Sequence, residues 1–142
     1  SAGVKLAVET GNGTMVNSNY TARKLIDELK AKDTLKVLWD PGNNCWCHEL
    51  AFPDGYEEVR GGYLGHVHIK DVLVDTPKAT LTVKEMGQGQ LGPLFNDMAA
   101  ALRKDQYDGV ISFESVYHPG NGNFEDGFRK CIDKFKEIFG EV

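Results

Sequence analysis

Four side chains carry most of the chemistry this sequence offers: Glu9, Asp40, His68 and Glu114. Each lies at or near the end of a short apolar run of strand character: "VKLAVE", "LKVLWD", "LGHVHIK" and "GVISFE". Carboxylates and imidazoles bind divalent metals. Two glutamates, an aspartate and a histidine, with no thiolate among them, form a mixed nitrogen–oxygen ligand set. Such a set suits Mn²⁺, Co²⁺, Mg²⁺ or Zn²⁺. Three carboxylates brought together would repel one another unless a cation joined them. Whether the four meet depends on the elements that carry them.

Strands are expected over Val4–Glu9, Leu35–Asp40, Leu64–Lys70 and Gly109–Glu114. Helices are expected over Tyr20–Lys32, Asp54–Gly62, Leu91–Lys104 and Phe124–Phe139. Residues 71–90 read as a long connection with a short extended piece at Thr80–Val83. Strands alternating with helices imply a parallel sheet with right-handed crossovers. Four such units suit a small doubly wound sheet or half of an eight-fold barrel. In either fold, sites form at the C-terminal strand ends, where the four residues stand.

Strand parity tests this placement. Counting back by twos from Glu9 gives Ala7 and Lys5; from Asp40, Leu38 and Lys36; from Glu114, Ser112 and Val110. The opposite sets are more apolar: Val8, Leu6 and Val4; Trp39, Val37 and Leu35; Phe113 and Ile111. Those sets are expected to pack on helices, with the ligand-type residues facing a barrel interior. In "HVHIKD", residues 66–71, the residues His66, His68 and Lys70 share one face, with Leu64 below them. In the helix expected over Phe124–Phe139, Phe124, Phe128, Cys131, Ile132, Phe135 and Phe139 form the expected buried stripe.

The 142 residues are 41% hydrophobic and 26% charged, an ordinary composition for one modest core. No apolar run approaches the roughly 20 residues a membrane helix needs. The net charge of −5 argues against a nucleic-acid partner. Three cysteines, Cys45, Cys47 and Cys131, have no disulfide spacing, which fits a reducing, cytoplasmic setting. Cys45-Trp46-Cys47-His48 has no second pair to complete a zinc site. Ser1-Ala2-Gly3 reads as a cloning remnant with a strand directly behind it, so the chain opens in mid-fold.

"LAVET", "LWDPGN", "HVHIKD", "GQGQLG" and "ISFES", in this order and spacing, resemble the sugar isomerase/epimerase superfamily of xylose isomerase-like TIM barrels. That superfamily includes endonuclease IV. The resemblance covers nearly the whole chain but only strands five to eight of the family's barrel. It implies an α/β fold, the C-terminal half of a (β/α)8 barrel, with residues 1–142 as a single partial domain. It implies that Glu9, Asp40, His68 and Glu114 hold a divalent metal, and that Glu9 and Glu114 serve as the acid/base pair. The implied reaction is isomerisation or epimerisation of a sugar or sugar-like keto-polyol through an enediolate. A keto-polyol dehydratase begins with the same proton abstraction, and a non-catalytic sugar-binding or interaction module can share the fold.

Two departures narrow the match. Asn43 stands where some epimerases and endonuclease IV place a histidine, and no histidine occurs in Val72–Gly89, so a three-zinc phosphodiesterase site is not expected. The arginine that some ketose epimerases carry after the histidine ligand is missing, and Lys70 is the expected substitute for it at the substrate. Lys70, His66, Asn43 and Trp46 are the expected substrate contacts. Each has a plainer reading: Lys70 pointing to solvent, His66 hydrogen-bonded one layer beneath the site, Trp46 packing on its own loop. The glycines of "GQGQLG" read as a turn or, more weakly, as a phosphate cradle. Half a barrel leaves two sheet edges and an apolar inner face open, so either a homodimer completing a pseudo-barrel or a separate N-terminal half is expected.

Overall fold

The backbone alternates strand and helix as the apolar periodicity demands. In chain order the elements are β1 (Leu6–Glu9), α1 (Asn19–Glu28), β2 (Leu35–Trp39), α2 (Pro41–Trp46), α3 (Tyr56–Val59), β3 (Leu64–Ile69), β4 (Asp71–Asp75), β5 (Thr80–Lys84), α4 (Phe95–Lys104), β6 (Val110–Phe113) and α5 (Phe124–Phe139). The computed structural model describes residue 4 and residues 6–114, 116–120 and 123–142. Lys5, expected on the inner face of the first strand, lies outside the described residues. Contacts divide the chain into two units: Ser1–His68 with Gly109–Ser112, and Ile69–Asp108 with Phe113–Val142. Among the described residues, no helix is long and apolar enough to cross a membrane.

The first unit is built on a sheet of order β1-β2-β3-β6. β1 and β2 pair in parallel, as do β2 and β3. This is the parallel α/β architecture expected of a partial barrel. Parity holds along β2: Val37 and Trp39 are fully buried, while Lys36 and Leu38 face the opposite, open side. It fails on β1. Leu6 was expected against helices but is 64% exposed. The reason is position: α1 packs across β2, and β1 is the sheet edge.

Parity also shifts in β3. Leu64 pairs with Val37, yet His66 pairs with Leu38, so β3 has one residue too many. Gly65 is that residue. A Cβ there would sit 2.4 Å from Lys36 Cβ, so only glycine fits. The bulge turns Gly65, His66 and His68 to the open face and moves Leu64 off it, opposite buried Val37.

α1 opens on a capping box: Ser18 Oγ accepts from Thr21 N–H at 3.1 Å, and Thr21 Oγ1 accepts from Ser18 N–H at 3.0 Å. It buries Ala22 and Ile26. It stops at Glu28 rather than Lys32 because Lys30 turns left-handed, with φ 52°, and Ala31 N–H bonds back to Ile26 O. The short helix expected over Asp54–Gly62 is a π-type turn, Ala51–Gly55, followed by α3.

The second unit holds the largest departure from the expected elements. Residues 71–84 are an antiparallel hairpin, β4 against β5, with Val72 opposite Val83 and Val74 opposite Leu81. The turn Thr76–Lys78 ends on Ala79 at φ 51°. Behind the hairpin, the buried carboxylate of Asp71 accepts four backbone N–H groups: Val72 (2.9 Å), Gly87 (2.9 Å), Gly89 (2.8 Å) and Leu91 (3.1 Å). The glycine loop is therefore no phosphate cradle, because its amides are given to Asp71. Burial pushes the Asp71 carboxyl up, and those four donors pull it back down.

Gly89 is required by this arrangement. A Cβ there would stand 2.2 Å from Asp71 Oδ1 and 2.5 Å from Val72 O. Gly89→Ala is expected to destabilise the protein by about 2–4 kcal/mol, since the backbone must shift and weaken the carboxylate's donors. Urea denaturation of the two proteins checks this; equal midpoints would contradict it.

α4 starts at Phe95 rather than Leu91, after a tighter turn at Gly92–Leu94, and buries Phe95, Met98, Ala99 and Leu102. α5 has the expected limits. Cys131 and Phe139 are buried on it, and Phe135 lies against Phe113. Phe124 and Phe128, expected in the same stripe, are 57% and 39% exposed. In the first turns of α5, His118 meets Phe124 edge-on and the Phe113 ring is tilted against Phe128, while Gly127 between them is buried. Cys131 is a core residue, as its place in the stripe implied; its Sγ accepts from Met86 N–H.

Candidate metal centre

Glu9 ends β1, Asp40 follows β2 and His68 stands near the end of β3. Parallel pairing carries these three strands in one direction, so their C-terminal ends bring the three side chains together. One donor atom from each lies within 4.8 Å of the other two. Among the described residues this is the one such group of metal-binding side chains; Cys45, Cys47 and His48 do not form another.

Asp40 is fully buried, and local chemistry holds it still. Its Oδ1 accepts from Gly42 N–H at 2.9 Å and Asn43 N–H at 3.1 Å, capping α2 with Pro41 in the first turn. The sequence expectation placed no helix here. Asp followed by Pro is a helix-start signal, and that signal was available in "DPGN". α2 is anchored in turn. Asn44 Oδ1 accepts from Trp39 Nε1 at 2.8 Å, and Asn44 Nδ2 donates to Glu49 Oε2 at 2.6 Å. Glu49 also takes the Asn19 and Tyr20 N–H groups at the start of α1. Burial pushes the Glu49 carboxyl up, and the two backbone donors oppose this.

His68 supplies the observation most telling of a ligand. Its Nδ1 is buried and has no hydrogen bond among the described residues, with Glu9 Oε1 at the ion-pair distance of 3.7 Å. A buried polar atom without a partner costs about 1–3 kcal/mol. A divalent cation held by Glu9, Asp40 and His68 would remove that cost, and two carboxylates with one imidazole are a suitable donor set for it. The residues present fit the group.

His66 sits one layer below. Its Nε2 is 2.7 Å from Ser112 Oγ, and its ring meets His68 edge-on at 5.0 Å between centroids. Burial, and then the neighbouring His68, pushes the His66 imidazole below its ordinary value, against the pull of Glu9. The two histidines line a cavity of about 400 Å³ with Leu6, Ala7, Lys36 and Leu38 on the open sheet face.

Of the other expected site residues, Asn43 lies on α2 and donates its side-chain amide to Glu9 Oε1 and Thr10 O. Trp46 ends α2, half-buried. Glu114 and Lys70 belong to the second unit. Lys70 is buried, and its Nζ is 2.5 Å from Glu114 Oε2. It does not simply point to solvent. Glu114 N–H donates to Ile69 O. His118 is engaged locally, accepting from Gly120 N–H at 3.1 Å.

By sequence, no curated protein matches the chain. Solved structures do match its fold. A D-psicose 3-epimerase crystallised in the presence of D-fructose shares 19% identity at a TM-score of 0.67, over 97% of this chain and 50% of that one. The D-psicose 3-epimerase of Clostridium cellulolyticum H10, with D-tagatose, shares 16% identity at 0.67, over 96% and 50%. A xylose isomerase-like TIM barrel protein of Mycobacterium smegmatis in complex with magnesium shares 18% identity at 0.66, over 97% and 45%. The chain thus spans about half the length of the structures it resembles. A family described as the xylose isomerase-like TIM barrel matches residues 1–138. With four strands in barrel order and ligand-type residues at their ends, the chain belongs to the xylose isomerase-like TIM barrel family.

Proposed function

We propose that this chain provides the metal-binding half of a divalent-metal-dependent isomerase or epimerase acting on a sugar or sugar-like keto-polyol. The observation that carries the proposal is the grouping of Glu9, Asp40 and His68 around an unpartnered, buried His68 Nδ1. Asp40 and His68 hold the ion, with Glu9 as the third ligand and Glu114 as the fourth. A bound divalent ion supplies Lewis-acid polarisation of the substrate carbonyl. One glutamate takes the proton from the carbon next to that carbonyl, and the other returns a proton after the enediolate forms. Glu9 and Glu114 are the pair assigned to those steps. Lys70 orients Glu114 through its bond to Oε2. Substrate contacts are assigned to Lys70, His66 and Trp46.

Proteins of the same fold support the reading: two are D-psicose 3-epimerases and a third is in complex with magnesium. The test is direct. The purified protein is loaded with Mn²⁺ and incubated with D-fructose, D-psicose or D-tagatose in D₂O. An isomerase or epimerase puts deuterium on the carbon beside the carbonyl and yields an isomer of equal formula. Loss of water from the product would mark a dehydratase instead. A protein that binds no divalent ion would overturn the proposal.

The same reading includes an assembly. β1 and β6 end the sheet order among the described residues, and Leu6 and Val110 on them are 64% and 60% exposed. A two-fold homodimer that pairs these edges removes both and covers the open face with one symmetric interface. Light scattering is expected to give twice the mass of one chain at micromolar concentration. A stable monomer there would refute the dimer and favour a separate chain as the missing half.

A further inference from the structure

We infer that Asn43 is a positioning residue for the ion, holding Glu9 in place against α2. The inference rests on the metal-site reading above and assigns a role other than substrate contact to this side chain. Asn43 touches two of the three grouped ligands. Its backbone N–H donates to Asp40 Oδ1 at 3.1 Å, and its side-chain Nδ2 donates to Glu9 Oε1 at 3.3 Å. Nδ2 also donates to Thr10 O at 3.0 Å. Both amide hydrogens thus have acceptors within the protein, which leaves neither for a substrate oxygen.

The arrangement solves a mechanical problem. Asp40 is fully buried and locked by its cap on α2, whereas the Glu9 side chain is 46% exposed on an edge strand. A long, half-exposed glutamate samples several rotamers and loses that freedom when it binds an ion. Asn43 ties Glu9 Oε1 to the element that already fixes Asp40. The same oxygen is the one 3.7 Å from His68 Nδ1, so the tie acts on the atom that faces the imidazole. Its bond to Thr10 O fixes the amide's own direction, so the donor is set before any ion arrives. Groups that orient metal ligands in this way are commonly worth about 10–100-fold in affinity.

The experiment measures Mn²⁺ affinity by calorimetry on the full chain and separates this role from a general structural one. Asn43→Leu keeps the size and the backbone N–H to Asp40 but deletes the side-chain donor. It is expected to weaken Mn²⁺ binding by about tenfold or more. In a Glu9→Asp background the carboxylate is too short to reach Asn43, so adding Asn43→Leu is expected to cost no further affinity. Asn43→Ser provides the same comparison should the leucine variant fold poorly by circular dichroism. An Asn43→Leu affinity within twofold of wild type would overturn the inference. So would an equal loss in both backgrounds, which would mark an effect through α2 or Thr10 rather than Glu9. If wild type itself binds no Mn²⁺, the metal-site reading falls and this inference with it; wild-type binding with unaffected variants removes this inference alone.

Discussion

Glu114→Gln is expected to lower the turnover of the Mn²⁺-loaded protein by about 10²–10⁴-fold, the usual contribution of a general acid or base. Glutamine keeps an oxygen that can accept from Lys70 Nζ and can still approach an ion. It cannot take a proton near neutral pH. Mn²⁺ affinity should therefore fall much less than the rate. Glu9→Gln makes the informative contrast, because Glu9 belongs to the converging group assigned to the ion; there, affinity and rate should fall together. Deuterium uptake by the ketose follows the rate, and calorimetry follows the affinity. A Glu114→Gln protein running at wild-type speed would remove Glu114 from the acid/base pair.

His68→Ala is expected to abolish the stabilisation that Mn²⁺ gives the protein. At a free ion concentration 100 times its Kd, wild type should gain about 2.7 kcal/mol, because only the folded state binds. The variant loses the imidazole and should gain nothing at the same concentration. Without metal the two proteins should differ less. Removing the ring leaves a cavity but also removes a buried nitrogen that has no partner, and these effects oppose one another. Thermal melts with and without Mn²⁺ measure both quantities. A metal-induced upshift of wild-type size in His68→Ala would show that the ion binds elsewhere.

Several features were legible because they are local. The limits of α5 follow from a run of apolar residues at helical spacing with cap chemistry before it. The open and buried sides of β2 follow from plain alternation, and Val37 and Trp39 are buried as that alternation requires. The stations of Glu9, Asp40 and His68 at successive strand ends follow from the order of elements. Each of these depends on residues within one or two turns or a single strand.

Other features were hidden because they depend on partners far away in the chain. The hairpin of β4 and β5 was read as a connection with one short extended piece at Thr80–Val83, since β4 carries three apolar residues in a row and pairs only with a strand across the turn. Asp71 looks like one more acidic residue until it receives N–H groups from residues 16 to 20 positions further on. Glu49 caps a helix that begins 30 residues before it. The first turns of α5 repeat the apolar spacing, yet Phe124 and Phe128 stay exposed while Gly127 between them is buried.

By itself the sequence determined the alternation of the main strands and helices, the parallel sense of β1, β2 and β3 and the kinds of side chain at the strand ends. It did so because hydrophobic periodicity and capping act over a few residues, where the chain's geometry is fixed. Only the tertiary structure decided which donors converge and what holds them. The bulge at Gly65 turns His66 and His68 to the open face, the Asp40 cap on α2 locks one ligand, and Asn43 ties a second to it. A ligand group within 4.8 Å requires three separate strand ends to agree in position, and only strand pairing and packing between distant segments can impose that agreement.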